Sequence, residues 1–453
     1  MMFRVGAVLV GLSLLVLVEV VVRLFFATAP AIDLEDPYVS FEGTRPLFVS
    51  DSEGERFETS SQRLTFFQKD SFSVTKNAQT KRVFCLGGST VQGRPYSIET
   101  SFTTWLQLNL QAGRPETQWE VVNCGGISYA SYRLVTLMQE MLGHDPDLFI
   151  IYTGHNEFLE DRTYERIKKM PQALIKLHRM MLKLQTYRLI STRRRQGFSK
   201  SVLPLEVQAK LDYEKGLESY RRDDVWHDGT IEHFGRNLET LVRMSLDADV
   251  PIILVNPVSN IRDCAPFKSQ FSEDLSKGEV EKVVELWEQA SKLDWVDVAD
   301  KVKLLEQALE IEERHAGLLY AAGKCYERMG RWNEAKERFL AAKEEDICPL
   351  RILEPMREVI FEEQADNAIV GNLQLLDHMH PTISGHQLIA KALFDEMIRL
   401  KLVNSADDFE IRREELWREH LASLDDIYFA HGARRLKKVQ EWSRGKIPNP
   451  PSK

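Results

Sequence analysis

Residues 82–90 read Arg82-Val83-Phe84-Cys85-Leu86-Gly87-Gly88-Ser89-Thr90, and they hold the sharpest architectural signal in the chain. Arg82 to Leu86 is a short, mostly apolar run of the length and make-up of a buried strand. The two glycines permit a tight turn, which presents the hydroxyl of Ser89 at the carboxyl edge of the sheet the strand joins. Downstream of this strand the pattern repeats. A helix is expected over 100–112, a strand over Trp119–Asn123 and a helix over 130–142. Further strands are expected over Leu148–Tyr152 and Ile252–Val255. Such alternation implies a parallel sheet with helices on both faces.

Composition sets the frame. The chain has 453 residues, 43% hydrophobic and 28% charged, which excludes a disordered chain, a collagen-like repeat and a protein that spans a membrane many times. A net charge of −9 argues against nucleic acid as a partner. The five cysteines, Cys85, Cys124, Cys264, Cys325 and Cys348, stand singly and form no zinc-type pair or dense disulfide framework.

The N-terminus departs from this average. Val5–Phe26 is an almost unbroken apolar run, interrupted by Glu19 and Arg23, which lie four apart and pair on one helix face. A helix of that length crosses a bilayer core. Residues 1–30 therefore read as a retained transmembrane anchor or, given Ala27-Thr28-Ala29, a cleaved signal, with the body of the chain exported. Residues 31–79 read as a polar stalk and lead-in.

Two insertions break the strand–helix rhythm. The first covers 160–235; between 161 and 195 it carries eleven Lys or Arg against two acidic residues. Its stretch Ala173–Ile190 is an amphipathic basic helix, suited to an anionic membrane surface or simply to covering the domain. The second covers 272–350 and is helical throughout. Leu319, Ala322, Gly323, Tyr326, Ala335, Phe339 and Ala342 fall at the spacing of two close-packed antiparallel helices, and they resemble a tetratricopeptide repeat. Leu305, Ala308 and Ile311 suggest a degenerate copy before it. One or two such units do not make a free-standing stack, so they are expected to pack on the rest of the chain. Residues 405–453 read as a helical C-terminal extension.

Four short blocks carry chemistry. Gly87-Gly88-Ser89-Thr90 follows the first strand and Asn123-Cys124-Gly125-Gly126-Ile127-Ser128-Tyr129 the second. Gly154-His155-Asn156-Glu157 follows the third, and Asp377-His378-Met379-His380-Pro381 lies ahead of a C-terminal helix. Together they offer a serine hydroxyl, a side-chain amide donor, and a carboxylate three residues from an imidazole.

In this order and strand context the blocks resemble the SGNH or GDSL hydrolase superfamily, over 80–160, 248–262 and 365–402. The long form looks like an exported or membrane-anchored bacterial subgroup. The resemblance implies a flavodoxin-like three-layer α/β/α domain over 80–404, interrupted by both insertions. It implies Ser89 as nucleophile, His380 as general base and Asp377 as the residue that orients it. It also implies an oxyanion hole formed by the Ser89 N–H, the Asn156 side chain and a backbone N–H of the second block. That last position falls on Ser128 rather than glycine, and Gly125 or Gly126 is the alternative donor. Gly126 and Arg262 are candidates for substrate binding, Arg262 for an anionic substrate; a surface Arg262–Asp263 pair is the plainer reading.

No cofactor is implied. His378 and His380 are near neighbours, but no carboxylate–histidine helix motif supports a metal. The expected activity is a serine esterase, with acylated carbohydrate among its substrates. Acyl transfer to an extracytoplasmic glycan and a membrane-tethered scaffold with a spent enzyme domain are the alternatives. The repeat-like insertion is the expected site for a protein partner.

Overall fold

The computed structural model describes residues 46–160, 209–212, 216–360 and 370–443. The expected span over Val5–Phe26 and the basic helix over Ala173–Ile190 lie outside them. Among the described residues no helix is long and apolar enough to cross a membrane. The strands are β1 Phe48–Ser50, β2 Arg56–Thr59, β3 Ser71–Ser73, β4 Thr80–Gly87, β5 Gln118–Gly125, β6 Leu148–Tyr152 and β7 Ile252–Val255. The α-helices are α1 Ser89–Gln92, α2 Phe102–Gly113, α3 Ser131–Met141, α4 Asp224–Asp247, α5 Lys277–Lys292 and α6 Val298–Ile311. They continue with α7 Ala316–Arg328, α8 Trp332–Glu344, α9 Glu354–Ile360, α10 Ile383–Arg399, α11 Phe409–Ser423 and α12 Asp426–Ser443.

The protein is an α/β protein built on a parallel four-stranded sheet of order β5-β4-β6-β7. Central strand β4 is buried from Arg82 to Gly87, because helices cover both faces. Side chains alternate as the strand period demands. Val83, Cys85, Val121 and Ile150 pack against Trp105 and Leu110 of α2 and Phe394 of α10. On the other face Phe84 stacks on Phe149 with centroids 6.1 Å apart, and Cys124 meets Met141 of α3. The chain runs from β4 outward to β5, then crosses back to β6. The loops after β4 and β6 therefore diverge at the carboxyl edge, where open α/β sheets leave a crevice.

The segment expected to be a stalk is folded between Phe48 and Ser73. β1, β2 and β3 form an antiparallel sheet, with Val49 opposite Glu58 and Phe57 opposite Phe72. Phe72 packs edge-on against Phe84, centroids 5.5 Å apart. Arg82 ties this small sheet to the large one, donating to Ser73 O and Glu120 Oε2. Strands of three or four residues are too short to display a period-two pattern, so the sequence hid them.

Helices α5 to α8, between Lys277 and Glu344, form consecutive hairpins. Ser276 and Glu279 make a reciprocal cap at the start of α5. Gly323 faces the Phe339 ring so closely that an added Cβ would lie 2.7 Å from it. Ala335 and Ala342 complete that contact from α8. The hairpins are bonded to the loop after β7. Asp346 accepts from the N–H groups of Phe267, Lys268 and Cys348 and pairs with Arg351. Gly323→Ala should destabilise the protein by about 1–3 kcal/mol through overpacking, and Phe339→Leu in the same chain should recover part of the loss. Urea denaturation of the three chains checks both effects.

Candidate active site

Gly87 ends β4 where the backbone of β6 comes very close; a Cβ there would lie 2.1 Å from Tyr152 O. Gly88 caps the one-turn helix α1, and Ser89 is its first residue. The turn thus lifts the Ser89 side chain off the sheet edge. Its Oγ lies 2.7 Å from His380 Nε2. His380 Nδ1 lies 2.6 Å from Asp377 Oδ2. Ser89, Asp377 and His380, separated by almost 300 residues, therefore form one continuous chain of hydrogen bonds, and all three are buried.

The Asp377–His380 turn is closed on itself. Asp377 Oδ1 accepts from the N–H groups of Met379 (2.9 Å) and His380 (2.8 Å), and Leu376 N donates to His380 O (2.7 Å). Thr382 then caps α10 by accepting from Gly385 N. A second anchor comes from the loop after β7. Asn260 Nδ2 donates to Asp377 O (3.0 Å), and Asn260 N donates to His378 O (3.0 Å). Asn260 lies in the loop after β7, and nothing in the sequence marks it for this role. Burial raises the cost of charge on Asp377, yet the His380 and His378 rings and the two N–H donors outweigh it. The carboxyl is held well below the usual carboxylate range.

Asn156 follows β6 and sits over Gly88; a Cβ on Gly88 would lie 2.5 Å from Asn156 Nδ2. One amide hydrogen is used, donated to Tyr129 O at 3.0 Å. In the second block, Gly125 N donates to Asn123 Oδ1 and Gly126 N to Gly87 O. Both glycine N–H groups are thus engaged. Ser128 N donates to nothing among the described residues. Ser128 also adopts φ +60°, the left-handed conformation that glycine takes readily, in a turn closed by Tyr129 N to Gly126 O. Of the three candidate donors, Ser128 is the one left available.

Two expected substrate contacts are engaged with other partners. Gly126 is a packing glycine: a Cβ there would lie 2.6 Å from the Tyr129 ring and 2.9 Å from Phe67. Arg262 turns toward the hairpins, where its Nε donates to Glu327 Oε1 at 2.5 Å and its backbone carbonyl accepts from Tyr320 OH. Its charge is satisfied there, so it does not serve an anion at the sheet edge. The neighbouring histidines are buried and neutral. His155 Nδ1 accepts from Ile352 N and His386 Nδ1 from Phe102 N. Burial pushes His386 down to about 3 and His378 to about 4.

No family model matches this chain, and no curated protein matches it. Among solved structures, it is similar to an α/β hydrolase enzyme, LAE5, from the metagenome of Lake Arreo, Spain. That likeness has 12% identity and a TM-score of 0.27, over 70% of this chain and 94% of the other. It is also similar to a protein of the G-D-S-L lipolytic family from Desulfitobacterium hafniense. There the identity is 16% and the TM-score 0.17, over 38% of this chain and 77% of the other. Likenesses this faint carry no weight, and the chemistry rests on the geometry.

Glu157, next to Asn156, accepts from both the N–H and the hydroxyl of Ser131 at 2.8 Å. Burial nonetheless raises its carboxyl from 4.5 to about 7. The folded state therefore keeps a proton that the unfolded chain releases, so the contribution of Glu157 to stability falls as pH rises from 4.5 to about 7, while the buried neutral histidines contribute a rise over the same range. Glu157→Gln should flatten that fall. Denaturation midpoints taken across the acid-to-neutral range check it.

Proposed function

We propose that the protein is a serine esterase of the SGNH type. The observation that carries this reading is the unbroken path from Ser89 Oγ through His380 Nε2 and Nδ1 to Asp377 Oδ2. Ser89 Oγ attacks the ester carbonyl carbon, and its proton passes to His380 Nε2. Asp377 holds Nδ1 protonated, so that Nε2 is the basic nitrogen, and it stabilises the imidazolium that forms. The carbonyl oxygen becomes an oxyanion, received by the N–H groups of Ser89 and Ser128 and the remaining amide hydrogen of Asn156. His380 returns its proton to the leaving alcohol as the tetrahedral intermediate collapses to the acyl-enzyme. Water, activated by the same imidazole, then releases the acid and regenerates Ser89.

Acetylated carbohydrate is the substrate class we favour, on the resemblance alone. We further propose that Val5–Phe26 tethers the domain outside the cytoplasm and that helices α7 and α8 act as a tetratricopeptide-like partner site. The close fit of Gly323 against Phe339 supports the repeat reading.

Ser89→Ala should abolish hydrolysis of 4-nitrophenyl acetate and labelling by a fluorophosphonate probe, with the circular dichroism spectrum unchanged. Full activity in that variant would sink the mechanism. Asp377→Asn should lower kcat by about 10⁴-fold, because the carboxamide allows the wrong imidazole tautomer. Asn156→Ala should cost about 10²–10³-fold in kcat, the loss expected for one oxyanion donor. Steady-state kinetics on the purified chain read both.

A further inference from the structure

Three buried arginines near the sheet are matched to carboxylates, Arg82 to Glu120, Arg133 to Glu160 and Arg351 to Asp346, and a fourth, Arg63, donates to Tyr129 OH. Arg94 breaks that pattern. It is half-buried, and its guanidinium has no hydrogen bond or ion pair among the described residues. Its position is nonetheless tightly set. Its own N–H donates to Ser89 O at 3.1 Å, five residues after the hydroxyl that meets His380. Gly93, at φ +95°, ends α1 just before it, and a Cβ there would lie 2.3 Å from Ser97 O.

The C-terminal helices fix the same loop from outside. Arg435 Nη1 donates to Tyr96 O (2.6 Å), His420 Nε2 lies 2.7 Å from Glu99 O, and the Tyr96 and Tyr428 rings stack with centroids 6.2 Å apart. Gly432 admits Tyr96 where a Cβ would lie 2.0 Å from its ring. Arg94 is thus held beside a second cation, Arg435. Burial and Arg435 lower the Arg94 guanidinium below its usual range, while the Asp377 carboxylate opposes them. Asp377 makes no hydrogen bond or ion pair with Arg94; its oxygens accept from His380 and two N–H groups. A half-buried cation with a like charge beside it is costly until an anion arrives.

We propose that Arg94, backed by Arg435, binds an anionic group carried by the substrate, a carboxylate or an acid group of like charge, next to Ser89. The proposal rests on the esterase reading and names the substrate class for it: acidic rather than neutral esters. The acid can sit on the acyl or on the alcohol side, and two pairs of esters separate these. The mono-4-nitrophenyl ester of adipic acid against 4-nitrophenyl hexanoate probes the acyl side. 4-Acetoxybenzoate against its methyl ester probes the alcohol side.

In one pair the wild-type chain should favour the charged ester by about tenfold or more in kcat/KM, the scale of one charge-assisted pair. Arg94→Gln should bring that charged-to-neutral ratio close to one, and Arg94→Lys should keep part of it. A wild-type ratio near one in both pairs, or a ratio that Arg94→Gln leaves intact, overturns the proposal. Ser89→Ala tests the esterase reading separately, since a fully active Ser89→Ala chain refutes that reading. Calorimetric binding of adipate and 4-hydroxybenzoate to the Ser89→Ala chain then reads the anion site without turnover. Binding of one that is lost on adding Arg94→Gln supports the proposal, and no binding of either overturns it.

Discussion

A carboxylate shut away from water needs compensation, and Asp377 obtains it from three donors: two backbone N–H groups and the His380 imidazole. The rest of the site depends on this balance. With Asp377 ionised, a proton belongs on His380 Nδ1 and a lone pair faces Ser89 at Nε2. Were burial to win and the carboxyl take up a proton, the imidazole would lose the acceptor that fixes its tautomer, and Nε2 would no longer be held as the acceptor facing Ser89. The backbone donors come from the carboxylate's own turn, so the charge is stabilised by a local shape rather than by a distant cation.

The sheet supplies the other half of the geometry by what it omits. At Gly87 and Gly88 any side chain would strike the backbone of β6 or the amide of Asn156. Their absence lets the serine turn sit against β6 and brings the Asn156 amide over it. The site lies where the loops after β4 and β6 part, and the loop after β7 closes it through Asn260. Three successive strands of the sheet thus each place one feature at the same edge, which is why residues spread over most of the chain converge there.

Much of this was legible in the sequence. β6 and β7 match their apolar runs residue for residue, because buried parallel strands must be apolar throughout. The four blocks stood out by their order and strand context, since no one of them is specific alone. Other features were illegible for physical reasons. β1 to β3 are too short for periodicity. The true partner of Arg262, Glu327, lies on a helix whose approach only the fold decides. Arg94 is notable for lacking a side-chain partner among the described residues, and a missing contact leaves no trace in a linear sequence. Ser128 shows the converse: its residue type argued against a glycine-like turn, yet the backbone takes that turn anyway.

The hairpins between β7 and α9 look like a separable module, but the hydrogen bonds run straight through their border. Arg351 holds Asp346 at the end of the hairpins and, through Nη1, the carbonyls of Asn260 and Cys264. Asn260 in turn holds Asp377 O. Four residues thus link the far end of the helical insertion to the carboxylate that sets the imidazole. Excising the hairpins and splicing their ends would deprive a buried guanidinium of its carboxylate, two hydrogen bonds away from the Asp377–His380 turn. Loss of these helices would thus act on the turn that carries Asp377 as well as on the module itself.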